Sequence, residues 1–388
     1  MPNIPEDWGN NFYKTGWQPG LEVNEQTGLG EITHVGTDPN YRNKFDSILK
    51  EWGFNPEQYE IEGSVRASSW NTQLKGGTVE TFYAFKGIVK KKRPGQDKYF
   101  KELFKQAKKK PPLKSKTFGG DTAFLFFMAD WQLGKKDYGV ENTIKRYDIA
   151  LQDAVNRIKD LRKTGVKIDE IYMIGLGDLT ENCYGFYDSQ PFNIELTMIE
   201  QYALARSMMM KTIETFLPHA DKLILAGCPG NHGEASRSQK GQVVTNRLDN
   251  TDTMHLQICE EIMKANPDRY KKVSVKVPDG FHQVMTIKNI PCAWTHGHMT
   301  GGSGNPENKI ENWWKGQMYG FLPAKDAQIL ITGHYHHFRS KQQGDRTWFQ
   351  SPSLDKSLDF TARTGMWSHP GVLTFTVNKK GWDNLRIL

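Results

Sequence analysis

Five short apolar runs in this chain each end in a polar cluster carrying glycine, and this recurrence limits the fold more than any other feature. The runs at 123–128, 171–174, 223–226, 292–295 and 329–332 lead into MADWQLG, GLGDLTEN, CPGNHGE, THGHM and ITGHYHHF. Apolar runs this short, bounded by turn residues, read as buried strands. Long amphipathic stretches alternate with the first three. In the segment 143–162, Ile144, Tyr147, Leu151, Val155, Ile158 and Leu161 recur at helical spacing, with Gly165 beyond them. Segments 194–216 and 254–265 also read as helices, and further short strands are expected at 273–277, 284–287, 348–350 and 372–377. Strand and helix in alternation, followed by many strands, predict a layered α/β domain whose sheet becomes mixed.

Upstream, residues 1–90 read as a small α+β module. DPNYRNKFDSILKEWG predicts one helix, with Asp38 as N-cap, Pro39 in the first turn and Gly53 as the stop. Strand-like runs follow at 59–68 and 80–89. Residues 91–120 are lysine-rich, hold Pro111-Pro112 and end in Gly119-Gly120, which reads as a linker before a catalytic domain over 121–388; a turn of helix at 99–110 is compatible with it, but the stretch shows no core of its own. The whole chain of 388 residues carries a net charge of +7, but residues 86–116 alone hold thirteen Lys/Arg against two acids, a local +11 that leaves −4 elsewhere. Such a segment is either a polyanion footprint or a solvated linker.

No run approaches the roughly 18 apolar residues of a membrane span, and the first residues show no apolar signal core. Cys183, Cys228, Cys259 and Cys292 form no CxxC pair. Widely spaced thiols of this kind suit buried, reduced side chains in a cytoplasm, a host cytoplasm if the chain is phage-encoded.

Each polar cluster is expected at the carboxyl end of its strand, where open α/β sheets bind ligands. Together the clusters supply Asp130, Gln132, Asp178, Asn231, His232, His296, His298, His334 and His336. Carboxylate, amide and imidazole suit first-row divalent metals, and the absence of cysteine from the set argues against a structural zinc site. Gly175, Gly177, Gly230, Gly297 and Gly333 allow tight turns beside these groups. Any one cluster is an ordinary turn; five in sequence are not.

The ordered set resembles the calcineurin-like metallophosphoesterase signature, D-x-H, GD, GNH-[DE], H, G-H-x-H, over about residues 123–338. The resemblance implies a four-layer sandwich of two mixed β-sheets flanked by helices, with two divalent metal ions at the strand ends. It places Asp130, Gln132 and His336 at the first metal. Asp178 bridges both, and Asn231, His296 and His334 fall at the second. It makes His232 the catalytic, proton-handling histidine, here followed closely by Glu234. His298 is the less favoured partner of His296. The chain departs from the pattern at Gln132, where the family has histidine. An amide oxygen is a harder, weaker donor, which favours manganese or magnesium over zinc, with iron a further alternative; alternatively Gln132 holds only a metal-bound water. Some members of bacteriophage type resemble this variant.

The implied chemistry is hydrolysis of a phosphate ester by a metal-bridging hydroxide. Fold does not choose the substrate. The basic segment, Lys135 and Lys136 after the first motif, and Tyr184, Phe186 and Tyr187 after the second point toward DNA, through phosphate contact and base stacking. The double-strand-break repair nuclease has this type of core. The alternatives are a phosphodiesterase for a small or cyclic nucleotide, and a DNA-binding protein with a degenerate metal centre. The expected partner is nucleic acid, not a membrane, and a homodimer is compatible with the sequence.

Overall fold

The computed structural model describes residues 15–24, 29–40, 44–56, 58–73, 77–91, 96–113, 116–235, 245–246, 249–301, 304–356, 361–362, 365 and 367–388. They form two compact units, 1–95 and 96–388.

In the smaller unit, β1 (Gly20–Asn24), β2 (Leu29–Gly36), β3 (Tyr59–Gln73) and β4 (Val79–Lys91) make an antiparallel sheet in the order β1-β2-β4-β3, with helix α1 (Phe45–Glu51) between β2 and β3 in sequence. Ile48 and Leu49 of α1 are buried with Ile32 and Val89, and Phe45, Trp52 and Tyr59 pack around them. The apolar spacing of the expected helix is therefore used, but the helix is short. Asp38 does not cap it; its carboxylate accepts the Asn40 N–H at 2.8 Å and pairs with Lys44 at 3.0 Å. The expected strand pair corresponds to β3 and β4, and β1 and β2 are additional.

The larger unit opens with α2 (Gln96–Lys109) inside the stretch expected to be a linker. Leu103, Phe104 and Ala107 pack into the main core, which makes this helix a structural part of the unit; Lys105, Lys108 and Lys109 remain exposed. Residues 92–95 and 114–115 of the lysine-rich stretch lie outside the described residues.

Then follow β5 (Thr122–Met128), α3 (Val140–Lys163), β6 (Ile168–Gly175), α4 (Met198–Phe216), β7 (Lys222–Gly227), α5 (Thr251–Lys264), α6 (Pro267–Tyr270), β8 (Val273–Lys276), β9 (His282–Ile287) and β10 (Ile290–Thr295). The chain closes with α7 (Pro306–Tyr319), β11 (Ile329–Thr332), β12 (Arg339–Gln343), β13 (Arg346–Gln350), β14 (Leu373–Asn378) and β15 (Gly381–Ile387). One sheet runs β15-β14-β5-β6-β7-β8, with β5 to β8 parallel and β14 and β15 antiparallel. The other runs β12-β13-β11-β10-β9, parallel across β10, β11 and β13 and antiparallel at both edges.

Alternation along the strands assigns the layers. Phe124, Phe126 and Met128 of β5 face a helical layer of α3, α4 and α5 residues such as Tyr147, Met209 and Ile262. Leu125 and Phe127, on the opposite face, meet Trp294, Ile331 and Phe349 of the second sheet. The outer face of that sheet presents Ala293, Leu330 and Trp348 to Ile310 and Trp314 of α7. The unit is thus a four-layer α/β sandwich with two mixed sheets inside, the architecture expected from the sequence. The inner strands of the two sheets are covered on both faces, so they carry continuous apolar runs, whereas the edge strands β12 and β15 are polar and largely exposed. All four cysteines are free, with Cys228, Cys259 and Cys292 buried.

Candidate metal centre

The loops following β5, β6, β7, β10 and β11 converge. One ligand atom from each of Asp178, His296 and His334 lies within 4.8 Å of the others. His296 Nε2 is 2.9 Å from Asp178 Oδ2 and 3.0 Å from Asn231 Oδ1. Its Nδ1–H donates to the Leu176 carbonyl at 2.7 Å, which fixes the ring and turns Nε2 into the site. His336 Nε2 lies 3.4 Å from Asp130 Oδ1, and both Asp130 oxygens accept the His334 backbone N–H, at 3.2 and 3.1 Å.

Much of this convergence is held against backbone preference. Asp130, Gln132, Asp178, His334 and His336 all have φ between 42° and 71°. Each such non-glycine residue costs on the order of 1–3 kcal/mol and persists only where its surroundings over-determine it. The crowding is greatest between the second and third motifs. A Cβ on Gly230 would lie 2.2 Å from Asp178 Oδ1, and one on Gly177 would lie 2.6 Å from Gly230. These two positions accept only hydrogen.

The electrostatics suit a cation. Burial opposes the charge on His296, but the Asp178 carboxylate outweighs it and holds the imidazole up at about 9. Burial also works against the Asp178 carboxylate, and His296, then His232, pull it well below the usual range. In the metal-free protein, then, a proton on His296 occupies the place of a positive ion. His334 is pushed down to about 2 by burial and by His296, so it is neutral with a lone pair to offer. The set Asp178, His296, His334 with the Asn231 oxygen fits a divalent metal by both geometry and donor chemistry.

The group around Asp130 is different. Gln132 is buried, and its Oε1 accepts from Lys135 Nζ at 3.1 Å. The same ammonium pairs with Asp355 at 2.8 Å, the lysine side chain being 13% exposed and the carboxylate 2%. Lys135 was expected to face a substrate phosphate; it is instead turned inward by the buried Asp355 carboxylate. Lys136 is exposed, with its backbone N–H on the Asn193 carbonyl at 3.0 Å.

His232 stands beside the metal cluster rather than in it. Its backbone N–H donates to Asp178 Oδ1 at 2.8 Å, and its Nδ1–H to the Glu181 carbonyl at 2.8 Å. The carboxylate nearest its ring is Glu181, 3.4 Å from Nδ1, not the expected Glu234. Glu234 lies on the other side, 4.0 Å from His298 Nε2. His298 flanks the cluster, with its ring 5.3 Å from that of His296. Burial pushes the Glu181 carboxyl up, and it accepts the Tyr187 hydroxyl at 2.7 Å. Phe186 stacks on the His232 ring at 4.1 Å and 7°. The aromatic segment after the second motif therefore builds the surroundings of His232, while Tyr184 remains 56% exposed.

Sequence reasoning missed Glu181, Asp355 and Asp252. Glu181 lies three positions after Asp178, within the motif itself, and that proximity was the available signal. Asp252, in the first turn of α5, accepts the N–H groups of Asp178 at 3.1 Å, Leu179 at 3.1 Å and Gly230 at 2.9 Å.

No family model matches the chain, and no curated protein does. Among solved structures it is similar to vacuolar protein sorting 29 from Cryptosporidium parvum, 12% identical with a TM-score of 0.31, over 66% of this chain and 86% of that one. It is also similar to an archaeal phosphodiesterase, 11% identical with a TM-score of 0.31, over 68% and 99%. A hypothetical protein from Pyrococcus horikoshii is 11% identical with a TM-score of 0.32, over 69% and 89%. Likenesses this distant assign neither activity nor substrate.

Proposed function

We propose that the chain is a divalent-metal-dependent phosphodiesterase acting on DNA, with manganese as its working ion. The observation that carries the hydrolytic reading is the placement of His232. A metal-ligand carboxylate, Asp178, holds its backbone, and Glu181 holds its ring. A bound divalent ion at Asp178, His296 and His334 would supply Lewis acidity toward the phosphoryl oxygens and a more acidic water.

The protein's own groups do the rest. With Nδ1–H committed to the Glu181 carbonyl, His232 has Nε2 for a substrate proton. The Glu181 carboxylate lies 3.4 Å from Nδ1, on the side of the ring away from Nε2, which leaves Nε2 to pass a proton to a leaving oxygen. Phe186 limits rotation of the ring by stacking on it. Asn231 Oδ1, 3.0 Å from His296 Nε2, would offer such an ion a further oxygen donor.

DNA as substrate is supported by the concentration of positive charge. Five of the thirteen basic residues of 86–116 precede residue 96; the others belong to the larger unit, where Lys105, Lys108, Lys109 and Lys116 are exposed. Exposed Lys136 and Tyr184 add a cation and a ring. The inward commitment of Lys135 removes one expected phosphate contact and favours a second reading, a phosphodiesterase for a small nucleotide. The test is hydrolysis of plasmid, single-stranded DNA and a chromogenic phosphodiester, each with manganese and with chelator. Turnover of the chromogenic diester alone selects the second reading. Manganese-independent results on all three reject the metal-dependent one.

A further inference from the structure

We propose that this centre is mononuclear, and that the Lys135 ammonium takes the place of a second metal ion in the Asp130 half of the site. The inference rests on the metal-dependent reading above and departs from the two-ion arrangement that the sequence motifs suggest.

The two halves of the site differ in the donors they offer. In the Asp178 half, three donors from aspartate and histidine side chains come within 4.8 Å of one another, with the Asn231 oxygen as a fourth. In the Asp130 half, Asp130 and His336 supply a carboxylate and an imidazole 3.4 Å apart. The third expected donor is the Gln132 amide oxygen, and Lys135 Nζ is hydrogen bonded to it at 3.1 Å. Among the described residues, no second group of three histidine, cysteine or carboxylate donors accompanies Asp130.

Charge makes the difference decisive. A divalent ion ligated by Gln132 would sit about 2 Å from the oxygen. It would therefore lie within about 5 Å of an ammonium held against the same atom. Like charges this close in a buried site repel strongly. Lys135 cannot easily withdraw, because its side chain is 13% exposed and its ion pair is with a carboxylate 2% exposed. If Lys135 left, Asp355 would be a buried, uncompensated charge, an arrangement that is strongly unfavourable.

The backbone shows that the lysine is built in. Gln132 lies in the left-handed region, at φ 42°, and accepts the Lys135 N–H through its own carbonyl at 3.2 Å. Leu354 and Asp355 donate their backbone N–H groups toward the Asp130 carbonyl, at 3.3 and 3.5 Å. Asp130, Gln132, Lys135 and Asp355 thus form one fastened unit. Glutamine in place of histidine belongs to the same device: an amide oxygen accepts from an ammonium, whereas an imidazole nitrogen positioned for a metal would meet a competing cation.

The experiment is metal stoichiometry on the full-length protein. Protein is dialysed to equilibrium against a Mn2+ series, and bound Mn2+ per chain is measured by mass spectrometry of the element. The expected plateau is one ion per chain in the wild type and in Lys135→Arg, and two in Lys135→Met, where Asp355 becomes available as a ligand. A wild-type plateau of two ions overturns the inference and leaves the metal-dependent reading intact. A Lys135→Met plateau that stays at one, in protein with an unchanged circular dichroism spectrum, overturns it as well. No Mn2+ bound to the wild type sinks the metal-dependent reading itself. The wild-type plateau decides the question even if Lys135→Met does not fold.

Discussion

Asp252 Oδ2 receives the backbone N–H groups of both Asp178 and Gly230, at 3.1 and 2.9 Å. One buried oxygen therefore ties the second motif to the third, and its companion Oδ1 takes the Leu179 N–H. Asn250, the N-cap of α5, grips the other side of the same peptide segment by donating from Nδ2 to the Gly230 carbonyl at 2.7 Å. Asp252→Ala leaves three N–H groups without an acceptor, at about 1–3 kcal/mol for each one not reached by water. Thermal melts of the metal-free variant should show a drop of several degrees, and Mn2+ affinity should fall at least tenfold. A destabilised variant with wild-type Mn2+ affinity would show that Asp252 supports the fold without positioning Asp178.

His232 and Glu181 should separate chemistry from metal binding. His232→Ala is expected to lower kcat by about 10²–10⁴-fold, the usual range for a lost general acid, with bound metal unchanged. Glu181→Gln keeps the backbone carbonyl that accepts His232 Nδ1–H and removes only the charge. It should lower kcat less, by about tenfold, and leave KM alone. Rates and bound metal measured on the same samples decide the point; metal loss in His232→Ala would move His232 among the ligands.

Metal uptake should release a proton. In the metal-free protein His296 is held up at about 9 by Asp178, against the opposing effect of burial. At pH 7 it is protonated, and it must become neutral to ligate. His334, pushed down to about 2, contributes no proton at that pH. Binding at pH 7 therefore releases about one proton, and affinity rises about tenfold per pH unit until it levels near pH 9. Titration calorimetry in two buffers of different ionisation enthalpy measures the number directly. Enthalpies that do not depend on the buffer would show that His296 is neutral before the metal arrives.

The parts of this molecule that could be read from its sequence are those whose cause is local. Strands β5, β6, β7, β10 and β11 are buried on both faces, so each is an unbroken apolar run, and the residue just past each run is where the chain must turn. That is why the residues that converge at the strand ends can be picked out in the sequence. The start of α4 is also local and lies a turn beyond the 194 expected from apolar spacing: Thr197 and Glu200 form a capping box, with the Glu200 carboxylate accepting the Thr197 N–H at 2.8 Å. Helix α7 carried a signal of the same kind, with Asn305 as N-cap and Pro306 at its first position. What could not be read is what depends on distant pairing. Asp355 meets Lys135 across 220 positions, and Asp252 meets Asp178 across 74. No periodicity records those partnerships. The lysine-rich stretch is opaque for a related reason: its charges are visible in sequence, while its apolar face has meaning only against α4 and α5.

Truncation should separate nucleic-acid capture from hydrolysis, and the place of the cut matters. The whole candidate site lies after residue 123, so the smaller unit is dispensable for metal binding. A cut after residue 95 retains α2, and with it Leu103, Phe104 and Ala107 of the main core. That shortened chain should bind Mn2+ and hydrolyse a chromogenic phosphodiester at close to the full-length rate. A cut near residue 116 would remove those side chains, exposing the apolar surface beneath at about 25 cal/mol per Å². It should lower the melting temperature before any effect on DNA can be judged. The cut after residue 95 removes Lys86, Lys90, Lys91, Lys92 and Arg93 and keeps eight basic residues of the segment. DNA affinity should therefore fall only in part, and the salt dependence of binding should flatten by the share of counterion release those five provide. Cleavage of long DNA would then decline through weaker capture, with the chromogenic rate as the internal control. Binding isotherms of both chains across a salt series measure this. Equal affinities and equal salt slopes would confine DNA contact to the larger unit.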